Sequence, residues 1–145
     1  MSDPELSFAV TAEPLAVELE AIGGGLTAFN EGDVGPARRL PLAVVVRDED
    51  DTIIAGISGY TAWGWLYIQW LWVADDFRQQ GVASKMLAAA EAEALARGCE
   101  NAWIDTFNPD ALRLYQRQGY TAFGQLDDFP VGRTRTFLQK PLAAG

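Results

Sequence analysis

The residues best suited to chemistry fall in two short segments. The first, Val73–Leu95, reads VADDFRQQGVASKMLAAAEAEAL: a turn carrying Arg78, Gln79, Gln80 and Gly81, then a long helical pattern. The first amides of a helix have no intrahelical partner, and with the helix dipole they attract an anion without needing a lysine. Gly81 would let the backbone approach a bulky anion closely, Ala83 keeps the next turn small, and Arg78 offers a charged contact. R-x-x-G-x-A alone also reads as an ordinary helix start with a useful glycine, because short glycine patterns are poorly specific. It lacks the Gly-Lys-Ser/Thr of a Walker loop and the three glycines of a dinucleotide turn. The second segment, NPDALRLYQRQG from Asn108, sets Tyr115 one helical turn after the small Ala111. A phenol with space beside its ring can donate to developing negative charge. The same residue also reads as a half-buried aromatic on an amphipathic helix.

The elements that must position these residues are legible from periodicity. LSFAVTAE, from Leu6, reads as a first strand. Leu15, Leu19, Ile22, Leu26 and Phe29 keep helical spacing, but Gly23, Gly24 and Gly25 predict a broken or mobile helical region, followed by the loop NEGDVGPARRLP. LPLAVVVRD, TIIAGISGYTAW and WLYIQWLWVA then read as three strands joined by short turns, an antiparallel meander. A helix over Val82–Arg97 follows, with Val82, Met86, Leu87, Ala90 and Ala94 on one face and Gly98 as its stop. ENAWIDTF comes next as a strand, and strand–helix–strand order predicts a right-handed crossover with a parallel pair. Asn108 as cap, Pro109 at the first position and Gly119 at the end punctuate the second helix. YTAFGQL and RTRTFLQKPL close the chain as strands. The expectation is a mixed α/β (α+β) domain spanning residues 1–145 as one unit.

Composition removes several alternatives. The chain has no histidine and a single cysteine, Cys99, which argues against a metal site, a Ser-His-Asp triad or an internal disulfide. A lone cysteine and a start without a signal peptide set a cytoplasmic location as the expectation. No run is apolar enough for a membrane span. A formal net charge of -9 argues against nucleic acid as a partner and favours cationic small molecules.

Two segments together carry a resemblance to a family. VADDFRQQGVASKML resembles the acetyl-CoA pyrophosphate loop of the GNAT acyltransferase superfamily, and NPDALRLYQRQGY is similar to its Asn-x-x-Ala-x-x-x-Tyr-x-x-x-Gly-Phe/Tyr segment. They stand in the family's order, and the flanking strands extend the resemblance over nearly the whole chain, more loosely before Leu40. It implies a splayed mixed sheet of six to seven strands with helices on both faces, and direct transfer of an acetyl group from acetyl-CoA to an amine. The pantetheine arm would lie between the strands ending near Val73 and beginning near Ala102. Backbone groups of Leu71 and Val73 would bond it, and amides of Gln79, Gln80, Gly81, Val82, Ala83 and Ser84, with Arg78, would receive the pyrophosphate. Asn108 would serve as helix cap, as pantetheine contact, or both, and Tyr115 would protonate the departing thiolate.

Many relatives place a glutamate before the phosphate loop as a base acting through water. The comparable residue here is Gln69, an amide that cannot serve. Asp105, Asp127, Asp128 and Tyr67 remain as polar candidates beside deprotonation by bulk water. Trp70 and Trp72 share a strand face that Trp103 could join, as core, subunit contact or a wall for a cationic amine. Trp63 and Trp65 flank Gly64 at a hairpin and could line an exposed patch. The expected activity is N-acetylation of a primary amine on a small molecule, by a metal-free enzyme that could form a homodimer with no nucleic-acid or membrane partner. The alternatives are a non-catalytic acyl-CoA-binding regulatory domain and a protein lysine or N-terminal acetyltransferase.

Overall fold

A computed structural model describes residues 5–142, in two compact units that meet between Ala37 and Arg38. In the first unit, Ala16–Val34 forms one helix, α1, that runs unbroken through Gly23–Gly25. The expected interruption is therefore absent. Three glycines weaken a helix by about 3 kcal/mol relative to alanine, a cost in propensity that does not stop the backbone ladder from forming. Glu18 supports the start by accepting from the Leu15 amide at 2.8 Å. Leu6–Glu13 forms no strand, against expectation. Its alternating Leu6, Phe8 and Val10 are exposed; alternation makes a face, but a strand exists only where a neighbour completes its hydrogen bonds.

The second unit holds one six-stranded sheet and two helices. β1 (Leu40–Arg47), β2 (Ile53–Ala62) and β3 (Trp65–Val73) form the expected antiparallel meander. The β2–β3 turn places Trp63 and Gly64 at φ 48° and 76°, the pair of positive angles that a two-residue hairpin requires. After a short 3-10 turn, α2 (Val82–Ala96) crosses over to β4 (Asn101–Thr106), which pairs parallel with β3. α3 (Pro109–Arg117), β5 (Thr121–Asp127) and β6 (Thr134–Pro141) follow, and the strand order is β1-β2-β3-β4-β6-β5.

The core lies where α2 and α3 meet one face of this sheet. Met86, Leu87, Ala90 and Ala94 of α2 and Tyr115 of α3 join Leu66, Ile68, Ala102, Ile104 and Leu138. Each fully buried Leu, Ile or Met among them contributes roughly 1.5–3 kcal/mol. A polar clamp sits at the rim: Lys140 donates to Glu91 at 2.6 Å, and the Tyr120 hydroxyl donates to the same carboxylate at 3.0 Å. It fastens α2 to β6 and to the chain leaving α3. Among the described residues no helix is long and apolar enough to cross a membrane.

Candidate active site

The site begins with a failure of strand pairing. β3 and β4 run side by side only over Trp65–Ile68 and Asn101–Ile104. Beyond that point β3 stays with β2 as far as Val73, while β4 stays with β6 as far as Thr106. The divergence coincides with a bulge: Gly59 faces Ile68 and Ser58 faces Trp70, which leaves Gln69 as the extra residue. Gly59 is required there, since a Cβ on it would lie 1.9 Å from the Tyr67 carbonyl oxygen. A bulge sharpens local twist and redirects a strand. The result is a wedge-shaped cleft of about 1010 Å³ between the strands, lined by Gln69–Val73 on one side and Asp105–Asn108 on the other. On the β4 side, alternate backbone groups of Gln69–Val73 have no strand partner. Leu71 and Val73 lie on this stretch, and the Val73 carbonyl is already used by Arg78 Nε at 3.1 Å.

At the mouth of the wedge stands the start of α2. Gly81 is its N-cap, at φ 77° and with no side chain capping the helix. Gln79 is also left-handed, at φ 63°. The first helical bond runs from the Lys85 amide to the Gly81 carbonyl, so the Val82, Ala83 and Ser84 amides have no helical partner. A Cβ on Gly81 would meet nothing within 4 Å; the turn borders open space. Gln79, Gly81, Val82, Ala83 and Ser84 all line the cleft. Gln80 does not: its side-chain amide donates to the Asp76 carbonyl at 3.0 Å. Arg78 lines it while paired with Asp75 at 2.9 Å. Arg113, Arg117 and Arg135 line it as well. Four of the chain's eleven basic residues thus border one cleft of a protein with net charge -9, a local reversal of sign that suits a polyanion.

α3 supplies the third wall. Asn108 Oδ1 accepts from the Asp110 and Ala111 amides at 2.8 and 3.1 Å, so its oxygen is occupied as a cap, while the residue itself lines the cleft. One turn beyond Ala111, Tyr115 is 4% exposed and also lines the cleft. Its hydroxyl makes none of the described side-chain hydrogen bonds, yet among the described residues no buried side-chain oxygen is left unpaired; the hydroxyl is therefore not fully buried, on a residue that lines the cleft. Burial, and then the nearby Asp105 charge, push the Tyr115 phenol up to about 12. At neutral pH it therefore keeps its proton.

The remaining polar candidates separate cleanly. Asp105 lines the cleft, and its Oδ2 accepts from Arg135 Nε at 2.6 Å. Asp127 and Asp128 lie in the β5–β6 hairpin, where they accept from Thr134 Oγ1 and the Gly132 amide, each at 3.3 Å. Neither lines the cleft. Nor does Tyr67, which stacks on Trp103 with ring centroids 4.0 Å apart and whose phenol burial pushes up. Trp103 thus joins Tyr67, while Trp70 and Trp72 stay exposed and border the cleft. Arg135, Arg113, Arg117 and Phe107 were not singled out from the sequence. RTRTF places Arg133 and Arg135 on one strand face, but only the β4–β6 pairing brings Arg135 to Asp105.

Comparison with known proteins finds relatives of this chain and of its fold. The model of the acetyltransferase (GNAT) family matches residues 21–120. An acetyltransferase of Agrobacterium fabrum is 45% identical over 121 residues, covering 83% of this chain and 88% of the relative. The blasticidin-S acetyltransferase of Streptomyces morookaense is 34% identical over 119 residues, with coverage of 81% and 88%. A crystal structure from Agrobacterium tumefaciens superposes with a TM-score of 0.88 at 41% identity, over 94% of this chain and 99% of its own.

Proposed function

The chain belongs to the acetyltransferase (GNAT) family and is an acyltransferase, and on that premise we propose that it transfers the acetyl group of acetyl-CoA directly to a primary amine on a small molecule. The observation that carries this reading is the line from the uncapped, glycine-led start of α2, through the bare edge of β3, to the Tyr115 hydroxyl. Diphosphate fits the first, because amides with no partner and the helix dipole hold negative charge where Gly81 leaves room. An amide-bearing arm fits the second, since an extended chain can add to an open strand edge. A thioester sulfur then lies near the third. The acceptor's small-molecule character is supported by the blasticidin-S acetyltransferase among the relatives and by the negative charge of the chain, which draws amines.

In the reaction the protein first removes entropy: strand edge and helix start fix the thioester so that attack is effectively unimolecular. The amine lone pair forms the C–N bond, the C–S bond breaks, and the electron pair leaves on sulfur. Tyr115, protonated at every pH below about 12, hydrogen-bonds that developing charge; because burial makes the phenol a weaker acid than a thiol, it is this hydrogen bond in the transition state that lowers the barrier as the proton passes to the departing sulfur.

The test is calorimetric titration of acetyl-CoA followed by thiol release with a panel of primary amines. Micromolar binding with turnover of at least one amine is expected; no binding of acetyl-CoA overturns the reading. A second reading is kept because Gln69, at the bulge, is an amide at the place where the family resemblance implies a glutamate base. A regulatory acyl-CoA-binding domain would bind the thioester and acetylate nothing.

A further inference from the structure

Gln69 cannot take a proton, and two carboxylates line the cleft: Asp110, at the start of α3, has its side chain 87% exposed and paired with Arg113, whereas the Asp105 side chain is largely buried and has one oxygen without a described partner. Asp105 stands on β4 just past the point where β3 departs, with its side chain 7% exposed. Arg135, from β6, holds Oδ2 at 2.6 Å, and the guanidinium is itself packed over the Phe129 ring at 4.6 Å. Oδ1 makes none of the described hydrogen bonds, and among the described residues no buried side-chain oxygen is left without a partner; Oδ1 is therefore not fully buried, on a residue that lines the cleft. The titratable and charged groups that face Asp105 are Tyr115 from α3, Tyr67 from β3 and Arg135 from β6, and both phenols feel its charge. Asp105 and Tyr115 thus border the same space from different elements, one able to receive a proton and one able to give it.

We infer that Asp105 is the catalytic base of the reaction proposed above, with Arg135 as its positioning residue. The inference rests on that reading of the function. The acceptor enters as an ammonium, and Asp105 Oδ1 takes its first proton. The freed lone pair attacks, the C–S bond breaks, and Tyr115 gives its proton to sulfur. Nitrogen loses two protons in all: one goes through solvent in the cleft to restore the Tyr115 hydroxyl and one is released. Arg135 fixes the rotamer that keeps Oδ1 in the cleft.

This assignment has a kinetic signature that a purely structural aspartate lacks. An enzyme that deprotonates the ammonium has a kcat/KM that is flat with pH through neutrality, whereas one that must wait for free amine gains roughly tenfold per pH unit below the amine pKa. The experiment takes tyramine, benzylamine and cadaverine, selects whichever releases thiol fastest, and compares parent with Asp105→Asn. Asparagine keeps the size of the side chain and an oxygen for Arg135. The parent is expected to be flat within about twofold between pH 6.5 and 8.5, and Asp105→Asn to lose about 100-fold in kcat at neutral pH and to acquire the tenfold slope. Acetyl-CoA affinity should be unchanged. A flat profile in Asp105→Asn, or a loss below about threefold, overturns the proposal. If that variant does not fold, the parent decides alone, because a parent profile already climbing tenfold per unit overturns it equally. Acetyl-CoA binding with no thiol release from any amine removes the acceptor reading along with this one; release with a climbing parent profile removes only this one.

Discussion

At the scale of single residues the site depends on where a proton resides. Tyr115 is placed so that burial keeps it protonated, and phenylalanine keeps the ring while removing the donor. Tyr115→Phe is expected to lower kcat by roughly 10²-fold with little change in acetyl-CoA affinity; equal loss in both would make the tyrosine a packing residue. The same phenol has a stability signature. Its folded pKa, about 12, lies above the ordinary value of 10.0, so its contribution is intact below pH 10 and is lost as pH rises toward 12, by roughly 2–3 kcal/mol at the end of that window. Denaturant titrations at pH 9 and pH 11.5 should show a smaller alkaline loss in Tyr115→Phe than in the parent. The remaining alkaline loss includes that of Tyr120, whose hydroxyl is pushed up further by burial and by Glu91.

At the scale of elements, two glycines decide what the strands and helices can present. Gly81→Val puts a branched side chain at φ 77° and into the space bordering the helix start, and should weaken acetyl-CoA binding at least tenfold while the thermal midpoint falls only modestly. Gly59→Ala acts elsewhere: its methyl would collide with the Tyr67 carbonyl. The bulge would have to move, and a loss of about 3 kcal/mol or more in urea unfolding is expected. These cases also show what was legible beforehand. The turn at Arg78–Gly81 and the helix at Asn108–Gly119 are local, and their punctuation and chemistry are written in adjacent residues. The bulge at Gln69 is not, because it arises from the register between Ser58–Gly59 and Ile68–Trp70. Asp105 was visible only as one acid among several, since its partner lies 30 residues away across β4 and β6. Three misreadings, a strand at Leu6–Glu13, a break at Gly23–Gly25 and a loop from Asn30 where α1 continues to Val34, took local pattern for structure where hydrogen-bond partners decide it.

At the scale of the whole molecule two fields oppose each other. The chain is acidic overall, yet four of its nine arginines border the cleft. On the function proposed above, cationic acceptors would be drawn by the first and a diphosphate would be held by the second at short range, where salt screens less. Raising ionic strength from about 20 to 300 mM should therefore raise KM for a monocationic amine severalfold, with kcat unchanged; a KM indifferent to salt would mean that the acidic surface does not steer acceptors.

The parting of β3 from β4 has a further consequence. It leaves two half-bare strand edges inside the domain, and such edges are the templates on which foreign chains add and aggregates grow. A donor lying in the wedge occupies the slot an intruding strand would need. Protein stripped of its thioester should then be the form that clouds first on storage, and a cell rich in that thioester would preserve the enzyme while feeding it.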